Sequence, residues 1–353
     1  MSYTNGLDNP SLYFNTKLYT GNGSTQSISS VGFQPDFLWG KRRDSTGNNT
    51  VFDVVRGITK GLETNSTGAE FTSTDYYDSF DSDGFTISSG AGGCGNGSGQ
   101  TAVQWCWLAS NTTASNTDGS ITSTVSANTT SGFSIVSWIG DGTSTATIGH
   151  SLGVVPSMII LKNRTDVTNW VVKHKSLSSG YNLFLNDTSA VYNTTGQGHL
   201  ADLSSSSTFG FVAGSSGNNQ SNGSGDNMIA YCFAEKKGFS KFGSYTGNGS
   251  TDGTFVYTGF KPAFVIVKQT DTTNIWGILD NKRDPFNDST ESLLRANASD
   301  AENTTYKEIE FVSNGMKVRS SGTGTNASGG NYIYMCFAEN PFVTSGGIPT
   351  TAR

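Results

Sequence analysis

The chain states one pattern three times, and that repetition limits its fold more than any composition figure. Each copy closes on a cysteine held between bulky neighbours: Trp105-Cys106-Trp107, Tyr231-Cys232-Phe233 and Met335-Cys336-Phe337. Ten residues before each cysteine stands an Asn-small-Ser-Gly loop: Asn96-Gly97-Ser98-Gly99, Asn222-Gly223-Ser224-Gly225 and Asn326-Ala327-Ser328-Gly329. Each copy also opens alike, on Tyr19-Thr20-Gly21-Asn22-Gly23-Ser24, its near-verbatim return at Tyr245 to Ser250, and the variant Trp138-Ile139-Gly140-Asp141-Gly142-Thr143. A short apolar stretch then runs from Pro35 to Lys41, Pro156 to Lys162 and Pro262 to Lys268, always at the same spacing. An aromatic residue follows, read as Phe52, Trp170 and Trp276. A period of about 100 residues predicts tandem units of ordinary domain size.

The divisions expected are a short N-terminal segment (1–10), a first repeat (11–110), a Ser/Thr/Asn linker (111–131), a second repeat (132–237), a third repeat (238–341) and a C-terminal tail (342–353). With 44 glycines and only 14% charged residues, the vocabulary is that of strands and tight turns. Short apolar runs at Phe133–Trp138, Met158–Lys162, Phe264–Lys268 and Tyr332–Ala338, punctuated by turn residues, predict an all-β chain of three tandem antiparallel β-sandwich repeats, jelly-roll or lectin-like. The stretch from Leu293 to Glu302 is the nearest approach to a helix, of two or three turns. The tight junction at Lys236-Lys237-Gly238 predicts firmer docking of the second and third repeats than of the first and second.

A net charge of −6 lacks the basic footprint that nucleic-acid binding requires. Lys41-Arg42-Arg43 is brief, is followed by Asp44, and reads as a solvated loop. No apolar run reaches membrane-spanning length and no charged-then-apolar signal opens the chain, so neither membrane insertion nor export is expected. Four cysteines, three of them in equivalent places of separate repeats, predict four free thiols.

Few residues suggest chemistry. His150, His174 and His199 have no repeat counterparts or metal-type spacing, and read as surface or turn residues. Asp81-Ser82-Asp83-Gly84 stops short of a calcium loop and reads as a turn. Asp53-x-x-Arg56 recurs as Asp280-x-x-Arg283, while the middle repeat has Lys173-His174-Lys175; an ion pair across a turn is expected, worth ~0.2–1 kcal/mol if exposed, in preference to a polar contact point for a ligand. Most tryptophans read as core, with Trp39 the least constrained. No catalytic residue, cofactor site or metal site stands out, so the expectation is a protein that is not an enzyme. The candidate ligand contacts are the polar loops before each closing strand, at Asn96 and Ser98, Asn222 and Ser224, and Asn326 and Ser328.

The assembled motifs resemble a repeat family of tailed-bacteriophage structural proteins, often marine and often labelled tail-fibre-like, of unassigned activity. The resemblance runs from Gly32-Phe33-Gln34-Pro35-Asp36-Phe37 through Asp53-Val54-Val55-Arg56-Gly57 and Ser82-Asp83-Gly84-Phe85-Thr86-Ile87. It continues through Asn116 to Thr122 and Gly149-His150-Ser151-Leu152-Gly153 to Cys336-Phe337-Ala338-Glu339-Asn340-Pro341-Phe342. It implies a location on the virion surface after synthesis in the host cytoplasm, with other virion proteins as partners. Within that family the expected role is a tail-associated adhesin touching host-surface glycan, as a homo-oligomer with a trimer favoured. A capsid decoration protein and a capsule-degrading enzyme are the alternatives. Only Met1 to Pro10 precedes the first repeat, which favours a compact adhesin, a tail-tip piece or a head decoration over a long fibre.

Overall fold

The computed structural model describes residues 6–90, 94–214, 218–285, 292–305 and 307–350. Residues 1–5 of the expected N-terminal segment and 351–353 of the expected tail lie outside that set, as do 91–93 and 215–217 of the polar loops. The described chain is nearly all β, and its paired strands are antiparallel.

The repeats dictate the sheets. In the first, the closing strand Thr101–Trp107 lies between Phe14–Thr20 and Phe37–Arg42, and the sheet extends to Thr50–Asp53 and Lys60–Glu63. In the second, Asn227–Phe233 lies between Phe133–Ile139 and Met158–Asn163. In the third, Asn331–Pro341 lies between Ser240–Thr246 and Phe260–Gln269. Each repeat adds a smaller sheet: Gln26–Ile28 with Gly84–Ile87 and Tyr77–Asp81, Thr147–Gly149 with Thr208–Gly210, and Phe255–Tyr257 with Gly315–Val318 and Ile309–Val312.

Side chains alternate across a strand, so the cysteine motif sends its neighbours one way and its sulfur the other. Trp105, Trp107, Tyr231, Phe233, Met335 and Phe337 all enter one central cluster built from every repeat. Cys106, Cys232 and Cys336 enter three separate clusters, each drawn from its own repeat. The large sheets are therefore buried on both faces. That explains near-continuous apolar runs such as Met158–Leu161, which a half-exposed antiparallel strand would not need. The central cluster joins the repeats ring to ring, with Phe37 and Tyr231 centroids 4.4 Å apart, Phe14 and Phe337 5.1 Å, and Trp105 and Phe264 5.7 Å. Fully burying a side chain of this kind contributes ~1.5–3 kcal/mol, so the shared cluster is a major source of cohesion.

Several sequence expectations change. Strands Ala114–Asn116 and Ser123–Asn128 lie inside the stretch read as a linker and extend the second repeat's large sheet. Leu293 to Glu302 forms no helix; Leu294–Arg295 is a strand held beside Trp276–Asp280. Trp39, read as the least constrained tryptophan, is 2% exposed in the central cluster. All four thiols are free and buried, as expected.

Candidate functional site

The candidate contact loops split into an inside and an outside. Asn96, Asn222 and Asn326 are buried, whereas Ser98, Ser224 and Ser328 are exposed. Each asparagine knits its loop to the opening hairpin of the same repeat. The Asn96 amide donates to the carbonyls of Ser24 and Ser88 and accepts from Gln26. Asn222 donates to Asp141 and the Thr143 carbonyl and accepts from the Trp138 indole. Asn326 donates to Asn248 and to the carbonyls of Ser250 and Ser320, and accepts from the Asn248 N–H. These asparagines are scaffold, a correction to their reading as ligand contacts; only the serines reach solvent. The opening glycines make the approach possible. A Cβ on Gly21, Gly140 or Gly247 would stand 2.4, 2.2 or 2.4 Å from a carbonyl oxygen of the loop it meets.

The three lysines that end the apolar stretches are buried too, each reaching a carbonyl of a different repeat. Lys162 Nζ donates to Thr67 O at 3.1 Å, Lys41 Nζ to Ser299 O at 3.1 Å, and Lys268 Nζ to Thr188 O at 3.0 Å. The second repeat thus grips the first, the first grips the third, and the third grips the second. Backbone bonds follow the same cycle: Thr168 N to Thr67 O, Gly47 N to Ser299 O, and Asn274 N to Thr188 O. Burial lowers all three lysines from 10.5 to about 8, and carbonyl acceptors hold the amines in place. The basic cluster at 41–43 is therefore no solvated loop. Lys41 is buried and Arg43 pairs with Glu302 at 2.8 Å.

Strand register also corrects one repeat equivalence. Lys268 pairs with Trp276, and one step beyond Leu161↔Val171 sets Lys162 opposite Trp170. One step beyond Gly40↔Thr50 sets Lys41 opposite Asn49, not Phe52. The indoles of Trp170 and Trp276 donate to Glu63 O and Phe184 O, and the Asn49 amide donates to the equivalent Arg295 O. A short amide in the first repeat does the work of an indole in the other two.

At two of the three contacts the Asp-x-x-Arg pairs form the centre. Asp53 and Arg56 are joined at 2.5 Å, Asp280 and Arg283 at 2.6 Å, and all four side chains are inaccessible. They are the ion pairs across a turn expected from sequence, and they are fully buried. One oxygen of each carboxylate accepts two backbone N–H groups. The other accepts the arginine Nε and a donor from the neighbouring repeat, the Tyr231 hydroxyl at 2.8 Å or the Trp105 indole at 2.9 Å. Arg56 also meets Glu70, which Arg164 of the second repeat clasps with two nitrogens; Arg283 meets Glu302, clasped likewise by Arg43. Burial works against the Arg56 charge, yet Asp53, Tyr231 and Glu70 outweigh it and hold the guanidinium above its ordinary range. Carboxylates so filled with donors have no lone pair left for a substrate proton, which makes them structural ions.

The third contact has lost this set as a unit. His174 stands where Asp53 and Asp280 stand, opposite Met158 as they are opposite Phe37 and Phe264. Leu177 replaces the arginine, Val191 the glutamate, Thr270 the clasping arginine and Met335 the Tyr231 or Trp105 donor. His174 Nδ1 accepts the Ser176 N–H, so its other nitrogen donates to Tyr334 O at 3.2 Å. Burial lowers it to about 4, which keeps it neutral. His150 and His199 are buried as well, so of the surface-or-turn reading of the three histidines the surface half fails. Beside Leu177, Val191 and Thr270 a cleft of about 440 Å³ opens between the second and third repeats.

Among the described residues no cluster of three His, Cys, Asp or Glu side chains could hold a metal ion, and no helix is long and apolar enough to cross a membrane. A family model described as a domain of unknown function, DUF7483, matches residues 9–341, and the chain belongs to that family. One such domain therefore spans all three repeats. No curated protein and no solved structure matches the chain.

Proposed function

We propose that this DUF7483 protein is a non-enzymatic structural component of a tailed-bacteriophage particle. On this reading it is three lectin-like β-sandwich repeats closed into a ring within one chain, carried on the tail and touching host-surface glycan. The observation that carries the proposal is the threefold recurrence of an exposed serine tip on a loop locked from beneath by a buried asparagine. Three equivalent tips on one rigid body turn weak contacts into avidity, and many copies on a particle multiply the effect. The motif resemblance to phage repeat proteins supplies the setting.

The cyclic order of contacts also favours a second reading, a decoration protein seated as one chain on a threefold position of a capsid lattice. Immunogold labelling of intact virions separates the two: gold at the tail tip supports the adhesin, and gold over the head supports decoration. For the adhesin, replacing Ser98, Ser224 and Ser328 together by tryptophan should abolish binding to host cells while far-UV circular dichroism stays unchanged. Unaltered binding would refute contact through the tips.

A further inference from the structure

The three contacts between repeats are variants of one design, so the departure at one of them is informative. Between the first and second repeats, the space above the central cluster is filled by Arg56, Glu70 and Arg164, with Arg164 Nη1 also donating to Ser137 Oγ at 3.2 Å. Between the second and third, the same places hold Leu177, Val191 and Thr270, and the counterpart of Ser137 is Ser244. All four line the cleft of about 440 Å³, a size in the range of roughly 300–1,000 Å³ usual for small-molecule sites. Long ionic side chains plug the junction in one place and short neutral ones leave it open in the other.

The framework around the opening is retained. The carbonyl of Lys60 accepts from Arg56; its counterpart, Tyr181 O, accepts instead from Lys173 Nζ, which also pairs with Asp202. That lysine lies on the other face of the sheet from His174, so the turn bearing Leu177 and Tyr181 is tied down without filling the cleft. Among the described residues, no acidic or basic side chain lines the opening. Ser178 and Ser244 are exposed on its walls, with side-chain hydroxyls that have no hydrogen-bond partner among the described residues, and the half-buried Tyr181 lies beside them.

We infer that this cleft binds a neutral saccharide of one or two rings. Hydroxyls suit the many donor-acceptor groups of a sugar, and an aromatic flank suits its apolar C–H face. The absence of a charged group in the lining disfavours phosphate, sulfate and uronate, whose desolvation would go uncompensated. The inference rests on the glycan reading above for its ligand class, but places the sugar between repeats rather than on the serine tips.

The test uses the full chain and ligand-observed saturation-transfer NMR with maltose, lactose and cellobiose as probes. Two variants fill the cleft: Ser244→Trp at an exposed position, and the combined Leu177→Arg, Val191→Glu, Thr270→Arg with His174→Asp, which copies the ionic set of the other junctions. Transfer in the wild type, at least tenfold weaker in Ser244→Trp and retained in the serine-tip variant, is the expected result. The combined variant should match Ser244→Trp wherever its circular dichroism shows it folded. Transfer that survives Ser244→Trp but fails in the tip variant would overturn the inference and leave the glycan reading intact. No transfer to the wild type would also overturn it, and attachment of the chain to whole host cells then judges the glycan reading separately.

Discussion

Phe337 is the residue on which the shared core can be tested most directly. Its ring is 2% exposed and lies 5.1 Å from Phe14 and 5.7 Å from Trp107 of the first repeat, and 6.1 Å from Phe233 of the second. Phe239, Phe242 and Phe264 of its own repeat complete the shell at 5.6, 6.3 and 6.3 Å. Phe337→Ala removes the transfer energy of a buried ring, ~2–3 kcal/mol. It also leaves a void that strands paired on both sides cannot close, adding ~1–2 kcal/mol at ~24 cal/mol per Å³. The expected loss is about 4 kcal/mol, a large share of a typical total of ~5–15 kcal/mol. The assay is urea unfolding followed in parallel by far-UV circular dichroism and tryptophan fluorescence. Three of the tryptophans, Trp39, Trp105 and Trp107, report on the first repeat. Because the cavity opens where three repeats meet, both signals should shift to lower urea together. A shift in circular dichroism with the tryptophan transition unmoved would mean that the repeats unfold independently, and would refute the shared-core argument. A loss below about 1 kcal/mol would refute it as well, being far short of a buried-ring deletion.

Three further outcomes follow from other sites. Burial raises Asp36 from 3.8 to about 6, against the N–H groups of Asn111 and Ala109 that favour its charge. A raised acid stabilises below its unfolded value and loses that contribution as pH climbs through its folded value, here a window of about pH 4 to 6 worth about 3 kcal/mol. Asp36→Asn should therefore gain about 3 kcal/mol on wild type between pH ~4 and pH ~7.5 in paired urea titrations, and a constant difference would contradict the account. Gly140→Ala sets a methyl 2.2 Å from Gly223 O and should cost ~1–3 kcal/mol by thermal or urea denaturation; wild-type stability would mean the loop meets the hairpin less closely. The four thiols are buried, and burial pushes Cys94 up to about 11 and Cys106 and Cys232 higher still. An aromatic disulfide reagent should find none in the native protein and four in denaturant, and rapid native labelling would count against this packing.

The strands and their repeat could be read from the sequence, because turn residues and apolar runs are local signals. The destination of each face could not. Trp105 and Trp107 look like ordinary core residues in one dimension, and only the sheet shows that they leave their own repeat while Cys106 stays in it. The burial of the Asp53–Arg56 pair is illegible in the sequence for a related reason. Tyr231, which donates to Asp53, and Arg164, which clasps the Glu70 beside Arg56, lie more than 100 residues from Asp53, and nothing near Asp53 announces them. The middle repeat's change to His174 reads in one dimension as a lone substitution. Taken with Leu177, Val191, Thr270 and Met335 it is one coordinated change, visible only once spatial neighbours are known. For the six candidate contact residues, the sequence could not tell lock from tip. Asparagine and serine suit a buried turn and an exposed one equally well.

The unlike third junction also fixes which repeat can follow which around the ring. The first repeat offers Arg43 and Trp105 on one side and Asp53, Arg56 and Glu70 on the other, the second offers cations only outward, and the third receives them only inward. Seating the third repeat's Thr270 and Met335 against the first repeat's Asp53 side would strand a buried carboxylate and arginine, an error costing ~3–5 kcal/mol. Of the two cyclic orders open to three repeats, only one matches every ionic face with its complement. Such a lock-and-key grammar keeps three similar modules from misassembling, within a nascent chain or between neighbouring chains.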